Sequence, residues 1–288
     1  MTQVLLIFIL LVSVSLACTA SDKPNDEEVP SFGQDDYDKA IDLVKQNPTL
    51  ANTHYNRGLS YAKQGQYKQA IAAFDESIRL NPEDADAYFN RGYGYRELGQ
   101  HERAIQDFDE AIRLNPTDNI SYYNRGDSYS ELGRFEQAIQ DYDEAIKHNQ
   151  TDPVAYYNKG LAYSRLGQHD KAILAYDMAI ELNPASTQAY HNRGLSYIHI
   201  GQHKRAIEDL DECITLDPQD ANAYFLRGYS YDELGQHERA IEDFNNAIRL
   251  DPVDEFAYFS RSRAYIALGE IKKAEQDLAK AKDLGYNP

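Results

Sequence analysis

Five asparagines, Asn56, Asn90, Asn124, Asn158 and Asn192, stand 34 residues apart. A carboxamide carries a donor and an acceptor side by side, so it can pair with a peptide group whatever side chain that group bears. Tyr55, Phe89, Tyr123, Tyr157 and His191 flank the series, continued by Phe225 and Phe259. Aromatic rings beside amide groups suit an extended peptide. Two other uses stand beside this one: the asparagines can be solvated or bonded within the protein, and the rings can pack between neighbouring elements. The asparagine series gives way to Leu226 and Ser260, so a groove of this kind is expected to be strongest over the first five repeats.

The remaining reactive side chains point away from catalysis. Asp75, Asp109, Asp143, Asp177 and Asp211 also recur every 34 residues, and a carboxylate repeated at that interval is expected to be solvated helix surface. His101, His169, His203 and His237 share one repeat position. Copies one repeat apart are too distant to share a metal bound near 2 Å; His191, His199 and His203 crowd one stretch without a ligand pattern. Cys213 takes a place held by alanine elsewhere and reads as a small buried hydrophobe. No cofactor, no metal and no enzymatic activity are expected. With 47 acidic against 29 basic residues the net charge is −18, which repels phosphates and argues against nucleic acid. Glu97, Glu131, Glu233, Asp127 and Asp232 are expected to make parts of the asparagine face acidic, favouring a basic or neutral guest.

The elements that hold these residues follow the same period. Alanine recurs from Ala70 to Ala274, glycine from Gly65 to Gly269 and tyrosine from Tyr61 to Tyr265, each in steps of 34. The 23 tyrosines and absent tryptophan reflect this. A fixed period of this length marks a repeat array, here seven units: 51–84, 85–118, 119–152, 153–186, 187–220, 221–254 and 255–288. In 85–118, Tyr88, Gly92 and Tyr95 share one helix face, and Ala104, Phe108 and Ala111 share another. Gly99 separates the two helices and Pro116 ends the second. Asp118 begins the next as an N-cap. The small residues let backbones approach closely, and stacking is obligatory because one pair cannot bury its apolar faces alone.

Tyr88, Gly92, Tyr95, Gly99, Ala104, Phe108, Ala111 and Pro116 match, in order, the pattern of the tetratricopeptide repeat, with tyrosine at the place where that family often has tryptophan. The resemblance covers 51–288; His54, Gln150, Cys213 and Ser262 depart from it. It implies an all-α fold, a right-handed superhelical solenoid of stacked antiparallel helix pairs, whose first helices line a concave groove. The asparagine spacing resembles the asparagine ladder of the repeat domain of O-linked N-acetylglucosamine transferase, which holds extended peptide backbones. The Lys and Asn clamp of heat-shock co-chaperone domains is not matched, since Tyr55, Leu59, Ile120 and Asn124 occupy its places. The resemblance thus implies a scaffold that binds a protein or peptide; an adaptor for a separate enzyme and a glycan binder are the alternatives.

The start of the chain reads as an address. Val4 to Val12 is an unbroken apolar run, too short for a typical membrane span and suited to a secretory signal. Ser15-Leu16-Ala17-Cys18 resembles a bacterial lipobox, which implies cleavage before Cys18, lipidation of its thiol and a membrane-anchored lipoprotein of the cell envelope. Met1-Thr2-Gln3 lacks the usual basic start, and the leucine sits one place late; plain secretion after Ala17 or Ala20 is the alternative. Residues 1–18 are then the signal peptide, 19–34 a flexible acidic tether, and 35–50 a lone capping helix carrying Tyr37, Ala40 and Ile41.

Overall fold

The computed structural model describes residues 48–287. The signal peptide and tether lie outside them, and so does the helix expected over 35–50 except for its last three residues. Those three open the first described helix, α1 (Pro48–Lys63), which is followed by α2 (Tyr67–Leu80) and α3 (Ala85–Glu97). Beyond the next turn come α4 (His101–Leu114), α5 (Asn119–Glu131), α6 (Phe135–His148), α7 (Pro153–Arg165) and α8 (His169–Leu182). The series closes with α9 (Thr187–His199), α10 (His203–Leu216), α11 (Ala221–Glu233), α12 (His237–Leu250), α13 (Glu255–Ala267) and α14 (Ile271–Leu284). Among the described residues there are fourteen helices and no strand.

These residues fall into two compact units that divide between Leu98 and Gly99, the first holding α1 to α3 and the second α4 to α14. Inside each, a first helix packs on the second helix of its own repeat, and that second helix packs on the next first helix. Successive first helices also touch, as α7 does α5 and α9. The architecture is therefore all-α, built from stacked antiparallel pairs.

Local chemistry sets the helix ends. Asp118 precedes α5, and its carboxylate accepts from the N–H groups of Ile120 and Ser121, each at 3.2 Å, satisfying donors that the first turn leaves open. Between α5 and α6 the turn needs a left-handed residue. Gly133 supplies it at φ 71°, and the N–H of Arg134 then reaches the Tyr129 carbonyl at 2.8 Å. A Cβ at Gly133 would meet nothing within 4 Å, so glycine is required there by conformation rather than by space. The last helix ends on Gly285 at φ 114°. In that terminal repeat Glu275 and Lys282, at places held elsewhere by isoleucine, are exposed.

The core is a row of rings set on small residues. Phe74, Phe108, Tyr176 and Phe244 are wholly buried and Tyr142 is nearly so. Burying such a ring stabilises by about 2–3 kcal/mol. In repeat 153–186 the Tyr176 ring lies directly on Gly160: a Cβ there would come within 2.5 Å of Tyr176 Cε1. In repeat 187–220 the ring is replaced by Leu210, and a Cβ at Gly194 would sit at 3.4 Å, ordinary contact. Gly160→Ala should therefore lower stability by about 1–3 kcal/mol through overpacking. Gly194→Ala should be neutral or stabilising, since alanine is favoured over glycine inside a helix by about 1 kcal/mol. Urea unfolding of both variants tests the difference; equal losses would remove the contact with the ring as the cause.

Candidate functional site

The asparagines sit on first helices, where the amides of Asn90, Asn158 and Asn192 are each held by the preceding repeat. In the first unit Asn90 Nδ2 donates to the Tyr55 hydroxyl at 3.2 Å and to the Asp86 carbonyl at 2.7 Å. In the second unit Asn158 Nδ2 donates to the Tyr123 hydroxyl at 2.9 Å and to Asp127 Oδ1 at 3.1 Å. Asn192 Nδ2 donates to the Tyr157 hydroxyl at 3.1 Å and to the Gln188 carbonyl at 2.9 Å. Carbonyls and carboxylates only accept, so they fix which end of each amide is nitrogen. Among the described residues no hydrogen bond reaches Oδ1 of Asn90, Asn158 or Asn192. Asn124 is 5% exposed and donates to the Ile120 carbonyl at 2.7 Å; Asn56 is exposed.

The flanking rings serve packing as well. Tyr55 leans on Phe74, Tyr123 on Tyr142 and Tyr157 on Tyr176, with centroids 5.8, 6.0 and 5.9 Å apart. Phe89 is partly buried. Burial raises the pKa values of Tyr55 and Tyr157, which keeps both hydroxyls protonated at neutral pH. Two of the acids expected on this face are engaged internally. Asp127 accepts from Tyr142 at 2.9 Å, and Asp232 pairs with His237 Nδ1 at 2.7 Å with its side chain 7% exposed. Glu97, Glu131 and Glu233 stay exposed.

A second ladder runs behind the asparagines. The residue after each asparagine position is a cation: Arg57, Arg91, Arg125, Lys159, Arg193, Arg227 and Arg261. Arg193 binds Asp209 of its own repeat with Nε and Nη2, at 2.9 and 2.6 Å, and Asp177 of the repeat before with Nη1, at 2.6 Å. Arg125 holds Asp141 and Asp109, and Arg227 holds Asp243 and Asp211, in the same way. The recurrent Asp75, Asp109, Asp143, Asp177 and Asp211 are thus surface residues that are each tied to the next repeat's cation. Burial works against the charge on Arg193, but the bonds from Asp209 and Asp177 outweigh it and raise its pKa. Burial pushes the Asp209 carboxyl up, and Arg193 only partly offsets that. The two directions oppose each other for one ion pair. The bidentate geometry, with both carboxylate oxygens accepting, decides for the charged form.

The remaining candidate groups stay simple. Cys213 is fully buried, its thiol pushed up to about 12 by burial. His169 stacks on His199 with centroids 4.4 Å apart, and among the described residues no three metal-ligating side chains converge.

Models of the tetratricopeptide repeat match residues 55–119, 108–140, 126–167, 153–186, 187–220, 221–254 and 257–284. The chain belongs to the tetratricopeptide repeat family. Among solved structures, it is similar to YrrB, described as a tetratricopeptide repeat protein with an unusual peptide-binding site. Identity is 26% over 69% of this chain and 98% of that one, with a TM-score of 0.59. A segment of MamA from Desulfovibrio magneticus RS-1 is 28% identical over 58% of this chain and 94% of its own, at a TM-score of 0.56. A tetratricopeptide repeat protein from Parabacteroides merdae ATCC 43184 shares the fold at 23% identity over 83% of this chain and 94% of its own, with a TM-score of 0.60. No curated protein matches the chain.

Within this tetratricopeptide array two repeats lack the buried aspartate: Ala73 stands at its place after Arg57, and Ala175 after Lys159. Among the described residues Lys159 pairs with one carboxylate, Asp143, at 2.5 Å. A buried carboxylate needs the planar fork of arginine; without it a single ammonium suffices. In sequence the aspartates look like isolated surface carboxylates, although a cation at every 34th residue is the visible signal of their partners. Arg193→Lys should leave Asp209 under-bonded and cost about 1–3 kcal/mol. Adding Asp209→Ala recreates the arrangement of the neighbouring repeat and should recover most of that loss. A double-mutant cycle by urea unfolding measures it, and additive losses would contradict the pairing.

Proposed function

We propose that this protein is a non-catalytic scaffold that binds an extended peptide or protein segment along its first-helix face, at the cell envelope, held there by a lipid on Cys18. The observation that carries the reading is the ladder of asparagine amides with their donors spent inside the array and their Oδ1 atoms unbonded among the described residues. Such a ladder accepts hydrogen bonds. Peptide N–H groups and basic side chains are the donors that match it, and a net charge of −18 attracts the same guests. The peptide-binding site named for YrrB, 26% identical, supports the same reading. The sequence around Cys18 supplies the case for the anchor.

Selection of a displayed random decapeptide library on the full chain tests the groove. Peptides rich in Lys and Arg should be enriched. Asn158→Ala with Asn192→Ala should weaken an enriched peptide about tenfold, as expected for loss of two acceptors at roughly 0.5–1.5 kcal/mol each. Each change also removes a bond to a tyrosine hydroxyl, so affinity is measured well below the melting temperature. Unchanged affinity would leave the ladder a purely internal device. For the anchor, Cys18→Ser should move the protein from the membrane fraction to the soluble one and abolish a lipid mass on the mature N-terminus. Membrane retention without such a mass in the unaltered protein would discard lipidation.

A further inference from the structure

From α3 onward the first-helix N-caps are Asp84, Asp118, Asp152, Asp220 and Asp254, with one exception, Ser186. Beside that exception lies a cavity of about 300 Å³. Pro153, Val154 and Tyr157 of α7, Ala179 and Asn183 at the end of α8, and Ser186 and Gln188 at the start of α9 line it, with no charged side chain among them. Val154 is 50% exposed and Ala179 is buried. The cavity adjoins the ladder, because Tyr157 receives the Asn192 amide and Gln188 supplies the carbonyl that holds it.

We propose that this junction between the fourth and fifth repeats is the anchor pocket that sets the register of the guest, taking one uncharged apolar side chain of leucine or methionine size. The proposal rests on the peptide-binding reading above. A charged side chain set among these uncharged lining groups, rather than at the rim beside Asp152, loses its hydration without compensation; an apolar one gains by leaving water. The N-cap carboxylate of Asp152 stands at the rim of this pocket, accepting from the Val154 N–H at 2.9 Å, and the next returns one repeat on at Asp220; at both a basic residue is the complement. Charge and shape along this face therefore describe an extended segment with one apolar residue set between basic ones.

Ser186→Asp tests this without disturbing the fold, because aspartate caps a helix as well as serine does and already does so at the neighbouring junctions. The probe is the displayed random decapeptide library, selected separately on the unaltered full chain and on the Ser186→Asp chain. Peptides taken by the unaltered chain should share one Leu, Met, Ile or Val position flanked by Lys or Arg. The variant should lose the apolar preference and bind the enriched peptide about tenfold more weakly in fluorescence anisotropy. Enrichment of basic peptides with no preferred apolar position, or a preference unchanged by Ser186→Asp, overturns the anchor pocket and leaves the groove standing. No enrichment on the unaltered chain overturns the groove itself.

Discussion

An arginine on a first helix joins three helices at once, and in the repeats that carry it this fork fixes how they stack. Arg193 ties its own helix to Asp209 on the following helix and to Asp177 on the second helix of the repeat before. The arrangement is costly to assemble, since Asp209 is 4% exposed and removing a carboxylate from water carries a penalty of several kcal/mol. What the pair secures is register. An apolar seam of alanines and rings tolerates small slides, whereas a bidentate pair at 2.6 and 2.9 Å does not. The tyrosine three residues earlier extends the clip, with the Arg193 guanidinium 5.6 Å from the Tyr190 ring centroid. The asparagine is the residue just before this arginine, so whatever fixes the arginine also fixes the amide.

The helix pairs were legible in the sequence because their causes are local and periodic. Glycine at the turn, aspartate at the cap and small residues at the seam each announce a backbone requirement on their own. The ion-pair ladder was not legible in the same way. Asp209 and Asp211 are two residues apart and look alike in a sequence, yet one is buried and the other half exposed. Which is buried depends on the helix face, and which arginine it meets depends on packing across 16 residues. The orientation of the asparagines was beyond the sequence for a related reason. A carboxamide has a donor end and an acceptor end, and only neighbouring groups that can solely accept decide which end is left for a guest.

Departures from the period carry most of the remaining information. Lys159 stands with Ala175, whereas Arg57 keeps its arginine beside Ala73, so a buried carboxylate of this series always faces an arginine fork but the fork does not need the carboxylate. Ser186 changes alone. It keeps the cap, since its hydroxyl accepts from the Ala189 N–H at 3.3 Å, but it removes a charge from the edge of the first-helix face. A substitution that preserves structure while altering electrostatics is the kind that bears on binding rather than on folding.

The two ladders also constrain what any guest must be. With the amide donors spent on tyrosine hydroxyls, carbonyls and Asp127, the unbonded atoms of Asn158 and Asn192 are acceptors. A guest rich in acceptors, such as a carboxylate or a phosphate, would face like against like across a chain that is already strongly negative. A segment that supplies N–H donors at regular intervals meets the ladder without displacing any internal bond, so the array need not reorganise to receive it. Preorganisation of that kind would lower the cost of binding; the hydroxyls of Tyr123 and Tyr157 hold the amides of Asn158 and Asn192 in place.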